Sequence, residues 1–448
     1  MKIFEIPALV TAVGALLLTI SCDAQMIEMP MVRVPNIVNR NRRQTTQPMF
    51  ENPMGGGVSE FLAYAANFTI GGASFYFLVD SGSADLLVTA VGCTNHRTGD
   101  CTGPDFEPIS PSLGQCTATS YYENTGTATS HLGEVDCYGT ADSATYLQYD
   151  VYTDAVVFSN ATAVTQALGS ITASTPDFFI APQVAGIIGM AYPGQSTIYG
   201  LNKDYTPYLN TLTNEKVIST AAFAMCFNGQ VDGGPAGGLL VLGGGIISGL
   251  TYVDVVNQWW YAVALSSMTV AGTDVGLPSE GFTIVDSGTS GLVLTDTMYT
   301  AFNTALCTFA EENGINGLCV DNSVESTVQL TTDELASLPP VLVSLADNYV
   351  YSINSSSYLK SQGGNSYLYL IQQSGVENGQ KDSASVILGD VYLQGQWVYF
   401  DQQNNRLGLA AVSNCNQNYT SSALSIHTPS KPVVALSATL VAIITWLF

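Results

Sequence analysis

Two short segments of this chain carry residues suited to shared proton chemistry. The first reads Phe77-Leu78-Val79-Asp80-Ser81-Gly82-Ser83 and runs on to Leu86-Leu87-Val88. The second reads Thr283-Ile284-Val285-Asp286-Ser287-Gly288-Thr289 and runs on to Leu292-Val293-Leu294. A carboxylate between buried apolar strands is costly unless its loop satisfies it. Glycine lets backbone amides approach, and the hydroxyls of Ser81, Ser83, Ser287 and Thr289 can hydrogen-bond around the carboxylates. One such turn alone is an ordinary bend. Two in equivalent places can face each other, and close like charges cannot both ionise, so one pKa falls and the other rises. A pair that holds one proton suits general acid–base work: one carboxylate takes a proton from water while the other donates to a carbonyl.

Other catalytic chemistries find less support. His96, His131 and His427 lack metal-ligand spacing, and the cysteines form no zinc-like CxxC pairs, so no metal or cofactor is implied. Ser81 and Ser287 stand outside any Gly-x-Ser-x-Gly elbow, with no histidine placed to activate them.

The elements that must position Asp80 and Asp286 are themselves repeated. In each segment an apolar run with β-branched residues enters a polar turn and leaves as another apolar run, which predicts strand, loop, strand. Gly186-Ile187-Ile188-Gly189 follows Asp80, and Val386-Ile387-Leu388-Gly389 follows Asp286, at nearly the same interval. Two motifs repeated in one order predict two similar β-rich lobes. Glycine and proline are dense over residues 229–245, which places the boundary there: an N-terminal lobe over 44–235 and a C-terminal lobe over 236–415. Helical signals are few; Thr297 to Phe309 has the best apolar spacing.

At these residues the chain resembles the pepsin-like aspartic proteases, across roughly 58–415. The most specific match runs from Val386-Ile387-Leu388-Gly389-Asp390-Val391-Tyr392 into Val398-Tyr399-Phe400-Asp401 and Asn404 to Ala410. The resemblance implies an all-β, bilobal fold of two duplicated barrel-like lobes with a cleft between them. It implies an endopeptidase acting on polypeptides, most active in acid, with Asp80 and Asp286 as the catalytic dyad. Cys226 and Cys415 match an inter-lobe disulfide of beta-secretase-like, membrane-anchored members. Cys93–Cys101, Cys116–Cys137 and Cys307–Cys319 are the pairings suggested for the rest. Both turns carry Ser where Asp-Thr-Gly is commoner, and Leu87 stands where a Trp usually supports the flap tyrosine. Tyr138, in Tyr138-Gly139-Thr140, resembles that flap residue, with Tyr122 a rival by its distance from Asp80.

The ends and the composition bear on compartment. Ala8 to Ile20 is largely apolar behind Lys2, and Ser21-Cys22-Asp23-Ala24 follows: a signal-peptide pattern over 1–24, cut after Ala24. Residues 25–43 read as a propeptide ending at Arg40-Asn41-Arg42-Arg43, a site for a furin-like convertase, whose basic charge suits an acidic cleft. Eight cysteines then remain, an even number suited to disulfides, and Asn67, Asn160, Asn354 and Asn418 begin glycosylation sequons. Over 416–448, small residues, a polar spacer and apolar Val433 to Phe448 have the layout of a GPI-attachment signal; a short transmembrane anchor or a buried segment are the alternatives. These features predict a secreted or cell-surface, membrane-tethered zymogen that works as a monomer, or an endolysosomal one. With 36 Asp+Glu against 12 Lys+Arg, a net charge of −24 argues against nucleic acid as a partner. A catalytically silent homologue that binds protein or glycan at the surface is the alternative function.

Overall fold

The computed structural model describes residues 27–34, 63–96, 112–118, 120–138, 145–159, 161–175, 184–227, 238–243, 249–320, 323–374, 383–413 and 415. The leader, the basic site at Arg40 to Arg43, Cys101, Asn160, Asn418 and the apolar run Val433 to Phe448 lie outside these residues. Among the described residues no helix is long and apolar enough to cross a membrane.

The chain is built mainly of strands. In the first half, β1 (Ile27–Val34) is followed by β2 (Ala63–Ile70), β3 (Ala73–Asp80) and β4 (Leu86–His96). Next come β5 (Glu134–Tyr138), β6 (Thr145–Phe158), β7 (Val164–Ser174) and β8 (Gly186–Gly189). Six of these close on themselves in the order β2-β3-β8-β4-β7-β6, with β2 and β6 pairing at Phe68 and Phe158 to complete the barrel. Closure leaves no unpaired edge and a single apolar interior. There Phe68 packs against Phe77, Phe158 and Tyr208 at 4.8–5.8 Å between ring centres.

β8 explains the first Ile-Ile-Gly segment. It lies parallel to β3 with Gly189 beside Asp80, and antiparallel to β4 with Ile188 beside Leu86. All four of its residues are buried, as a strand covered on both faces must be. The second half repeats the device. Parallel to β12 (Phe282–Val285) runs β14 (Ala384–Leu388), with Leu388 beside Val285. Its other edge is antiparallel to β13 (Leu292–Leu294), with Leu388 beside Leu292. The duplicated text in the sequence is thus a duplicated strand arrangement.

A shared sheet underlies both halves. β9 (Ala222–Phe227), β10 (Gly238–Leu242), β11 (Thr251–Asp254), β15 (Gln396–Asp401) and β16 (Arg406–Ala411) join β1 in the order β11-β16-β15-β9-β10-β1. Strands from both expected lobes therefore interleave in one sheet, and β1 comes from within the expected propeptide. Phe223 of β9 stacks on Phe400 of β15 at 4.4 Å, and Tyr261 packs edge-on to Phe400 at 4.8 Å. Of the helices, α1 (Thr197–Leu201) is short, while α2 (Asp296–Glu312) extends the helix expected over Thr297 to Phe309. Thr295 caps α2 through the Met298 amide, and Met298, Phe302, Leu306 and Ala310 form its buried face at helical spacing.

Three disulfides join described cysteines: Cys93–Cys116, Cys226–Cys415 and Cys307–Cys319. The expected Cys93–Cys101 and Cys116–Cys137 pairings are corrected. Strand register decides this point: Thr94 of β4 lies opposite Gln115, and the Cys116 amide donates to the Cys93 carbonyl at 3.0 Å. That brings the two Cα atoms to 5.4 Å, a normal disulfide span. Cys137 is also disulfide-bonded.

Candidate active site

Asp80 ends β3 and Asp286 follows β12, so each carboxyl emerges where a buried strand gives way to its turn. Both side chains are buried, at 3% and 7% exposure. Within its own turn, Asp80 accepts from the Gly82 amide at 2.7 Å and from the Ser83 hydroxyl. Asp286 accepts from the Gly288 amide at 2.8 Å and from the Thr289 hydroxyl at 2.6 Å. The two sets are related residue for residue.

Ser81 and Ser287, both fully buried, join the turns to each other. The Ser81 amide donates to the Ser287 hydroxyl oxygen at 3.1 Å, and that hydroxyl donates to the Val79 carbonyl at 2.7 Å. In return the Ser287 amide donates to the Ser81 hydroxyl oxygen at 2.9 Å, and that hydroxyl donates to the Val285 carbonyl at 3.0 Å. Each serine thus satisfies two backbone groups of the opposite half, which would otherwise be buried unpaired.

The glycines have a role beyond giving amides room. A Cβ on Gly82 would lie 2.6 Å from the Asp286 carboxyl carbon, and one on Gly288 would lie 2.3 Å from Asp80 Oδ1. Each turn needs glycine because the other turn's carboxyl occupies the space. The same Gly288 Cβ position lies 3.2 Å from Asp286 Oδ1, so the two carboxyl groups meet around one point. Burial, then the charge of Asp286, pushes the Asp80 carboxyl well above the usual carboxylate range, against the opposing pull of Ser83 and Gly82.

This arrangement of paired, duplicated Asp-Ser-Gly turns agrees with a comparison of the whole chain against protein families. The family described as eukaryotic aspartyl protease matches residues 63–412. The chain belongs to that family. It is 28% identical to gastricsin of Oryctolagus cuniculus over 364 residues, which covers 78% of this chain and 82% of that protein. Chymosin of Ovis aries is 26% identical, over 75% of this chain and 77% of its own length. Pepsin A of Gallus gallus is 24% identical, over 76% and 81%.

The positions at which this family member departs from the family's pattern lie around Asp80 and in the core beside it. Tyr138 ends β5, is half-buried, and brings its hydroxyl to Ser83 near Asp80. Burial, then the charges of Asp136, Asp80 and Asp85, pushes that hydroxyl's pKa well up. Tyr122, the rival, is instead a core residue. Its hydroxyl donates to Asp154 at 2.8 Å and accepts from the Gly126 amide at 2.9 Å, and its ring packs against Tyr152. Leu87 is fully buried in β4 opposite Gly169 of β7, whose missing side chain leaves it room. Sequence reasoning missed a second pair of acids beside Tyr138, Asp85 and Asp136; their only signal was an Asp five residues after Asp80, inside an apolar run. Among the described residues no group of His, Cys, Asp and Glu is arranged to hold a metal. Asn67 accepts a hydrogen bond from Ser74 at 2.8 Å on β2, and Asn354 is exposed.

Proposed function

We propose that this chain is an endopeptidase that hydrolyses peptide bonds of polypeptides in acid, with Asp80 and Asp286 as a dyad activating water. The observation that carries the reading is the pair of buried carboxyls meeting at Gly82 and Gly288, each held by its own turn, with the turns braced by each other's serine. Two such groups hold one proton between them. A water held by both loses a proton to the ionised carboxylate as its oxygen attacks the peptide carbonyl carbon. The protonated partner donates to the carbonyl oxygen, giving a neutral tetrahedral diol. The carboxyl that took the water's proton then gives it to the departing nitrogen while the other takes a proton from a diol hydroxyl, so the C–N bond breaks to acid and amine and the dyad again holds one proton. Tyr138 covers the bound peptide and excludes water, a role supported by its approach to Ser83 from β5. The three disulfides support a secreted or cell-surface setting, because such bonds persist in oxidising compartments. Processing after Arg43 by a furin-like convertase belongs to the same reading.

The test is cleavage of an unfolded protein by the purified, convertase-treated chain between about pH 3 and about pH 7, with and without a pepstatin-like inhibitor. We expect acid cleavage that the inhibitor blocks and that Asp80→Asn and Asp286→Asn each abolish. Absence of cleavage and of inhibitor binding at every pH would sink the reading. Cleavage that survives either substitution would remove the dyad assignment.

A further inference from the structure

A second carboxyl pair lies beside Tyr138. Asp85, buried at 5% exposure just before β4, accepts from the Ser196 hydroxyl and from the Thr197 amide at 2.8 Å, both at the start of α1. Asp136, in the middle of β5, accepts from the Thr197 hydroxyl and from the hydroxyl of fully buried Tyr149 at 3.2 Å. Thr197 therefore bridges the two acids, its amide on Asp85 and its hydroxyl on Asp136, which sets the two carboxyls side by side. Side chains alternate along a strand, so Asp136 and Tyr138 share one face of β5. That face meets the dyad through Ser83, which hydrogen-bonds Asp80. Leu87, apolar and buried, has no group to hold the Tyr138 hydroxyl.

We propose that Asp85 and Asp136 form a proton-bound latch that seats the inner face of Glu134–Tyr138 against α1, positions Tyr138 over the dyad, and loosens when the shared proton is lost. Two facing acids, Asp85 buried and Asp136 half-buried, can hydrogen-bond each other only while at least one is protonated. Burial pushes both above the usual carboxylate range, and the charge of Asp136 adds to the effect on Asp85. The other ionisable groups facing the pair are Tyr138 and Glu134 of β5, Tyr149 of β6 and Asp80. Among the described residues the ion pair on this strand is His131 with Glu134, at 3.7 Å. It engages Glu134 and leaves the Asp85–Asp136 proton in place. Because the folded pKa values are raised, the latch is fully formed below the ordinary carboxyl value of about 3.9 and weakens as pH rises through the raised values. Cys137 on the opposite face is held by its own disulfide, so the latch governs how closely the inner face seats and not whether the strand stays attached. The effect on turnover rests on the peptidase reading; the latch itself does not.

Hydrogen exchange of the full chain tests it without substrate. Protection of the Glu134–Tyr138 amides, corrected for intrinsic rates, should fall at least about tenfold between about pH 4 and about pH 7, while Phe282–Val285 stays protected. In Asp85→Asn the amide can donate to Asp136 with no titrating proton, so protection should match the wild type in acid and stay within about threefold of it up to neutral pH. Asp136→Asn makes the same prediction from the other side. A wild type whose β5 protection ignores pH would overturn the latch, as would variants that lose protection in parallel with it. With peptide substrate, Asp85→Asn should remove the rise in KM toward neutral pH and leave kcat unchanged. If the wild type cleaves nothing, the peptidase reading falls, and exchange still decides the latch.

Discussion

Replacing Gly288 by alanine tests the central claim that each turn makes room for the other turn's carboxyl. The new Cβ would stand 2.3 Å from Asp80 Oδ1 and 2.6 Å from its carboxyl carbon. Ordinary contact begins at 3.4 Å, so the Asp80 carboxyl or the whole turn must retreat by the difference, 3.4 less 2.3, about 1.1 Å. A shift of that size pulls Asp80 from the Gly82 amide, now at 2.7 Å, or separates the two carboxyls. A misplacement of about 1 Å in reacting groups costs on the order of a hundredfold in rate. We therefore expect kcat/KM for a peptide substrate to fall about a hundredfold, measured in acid on a chain whose circular dichroism is unchanged. Gly200→Ala is the control, because a Cβ there meets nothing within 4 Å; its kcat/KM should stay within about threefold of the wild type. A Gly288→Ala enzyme that also stays within that range would refute the close approach of the carboxyls.

Asp80→Asn should raise the unfolding temperature at neutral pH and leave it unchanged well below pH ~3.9; the raised folded pKa makes the ionised form the costly one, so wild-type stability is lost as pH rises. A thermal-melt series across pH checks the sign, and a variant less stable than the wild type at neutral pH would contradict it. Removing Cys226–Cys415, which spans 189 residues, should cost about 5 kcal/mol in chain entropy, against about 3 for Cys307–Cys319, which spans 12. Urea unfolding of the two Cys→Ala pairs should rank them in that order. Tyr122→Phe leaves the Gly126 amide unpaired, so it should lower stability by about 1–3 kcal/mol while kcat/KM of the folded chain holds. Tyr138→Phe should do the reverse, with kcat/KM down about tenfold and stability kept. Stability and kinetics measured on the same two preparations separate the roles.

The sequence by itself determined what is local and repeated. Asp80 and Asp286 were legible because each sits in a strand–turn–strand whose pattern recurs, and the Ile-Ile-Gly and Ile-Leu-Gly segments were legible because strands buried on both faces are apolar throughout. Helix α2 declared itself through its apolar spacing over Thr297 to Phe309, while its start at the Thr295 cap came from the structure. The tertiary structure alone decided what depends on sheet register and on contacts across the chain. Cys93 meets Cys116 because of how Leu86–His96 pairs with its neighbour, which no cysteine count shows. The sheet under the site interleaves strands from both halves, so its edges could not be drawn at one boundary. Around Asp80 and Asp286, the sequence supplied the residue types and the fold supplied the distances. The two carboxyls lie about two hundred residues apart in the chain and meet only because both β-rich halves share one sheet and each turn's glycine leaves the other's carboxyl its space.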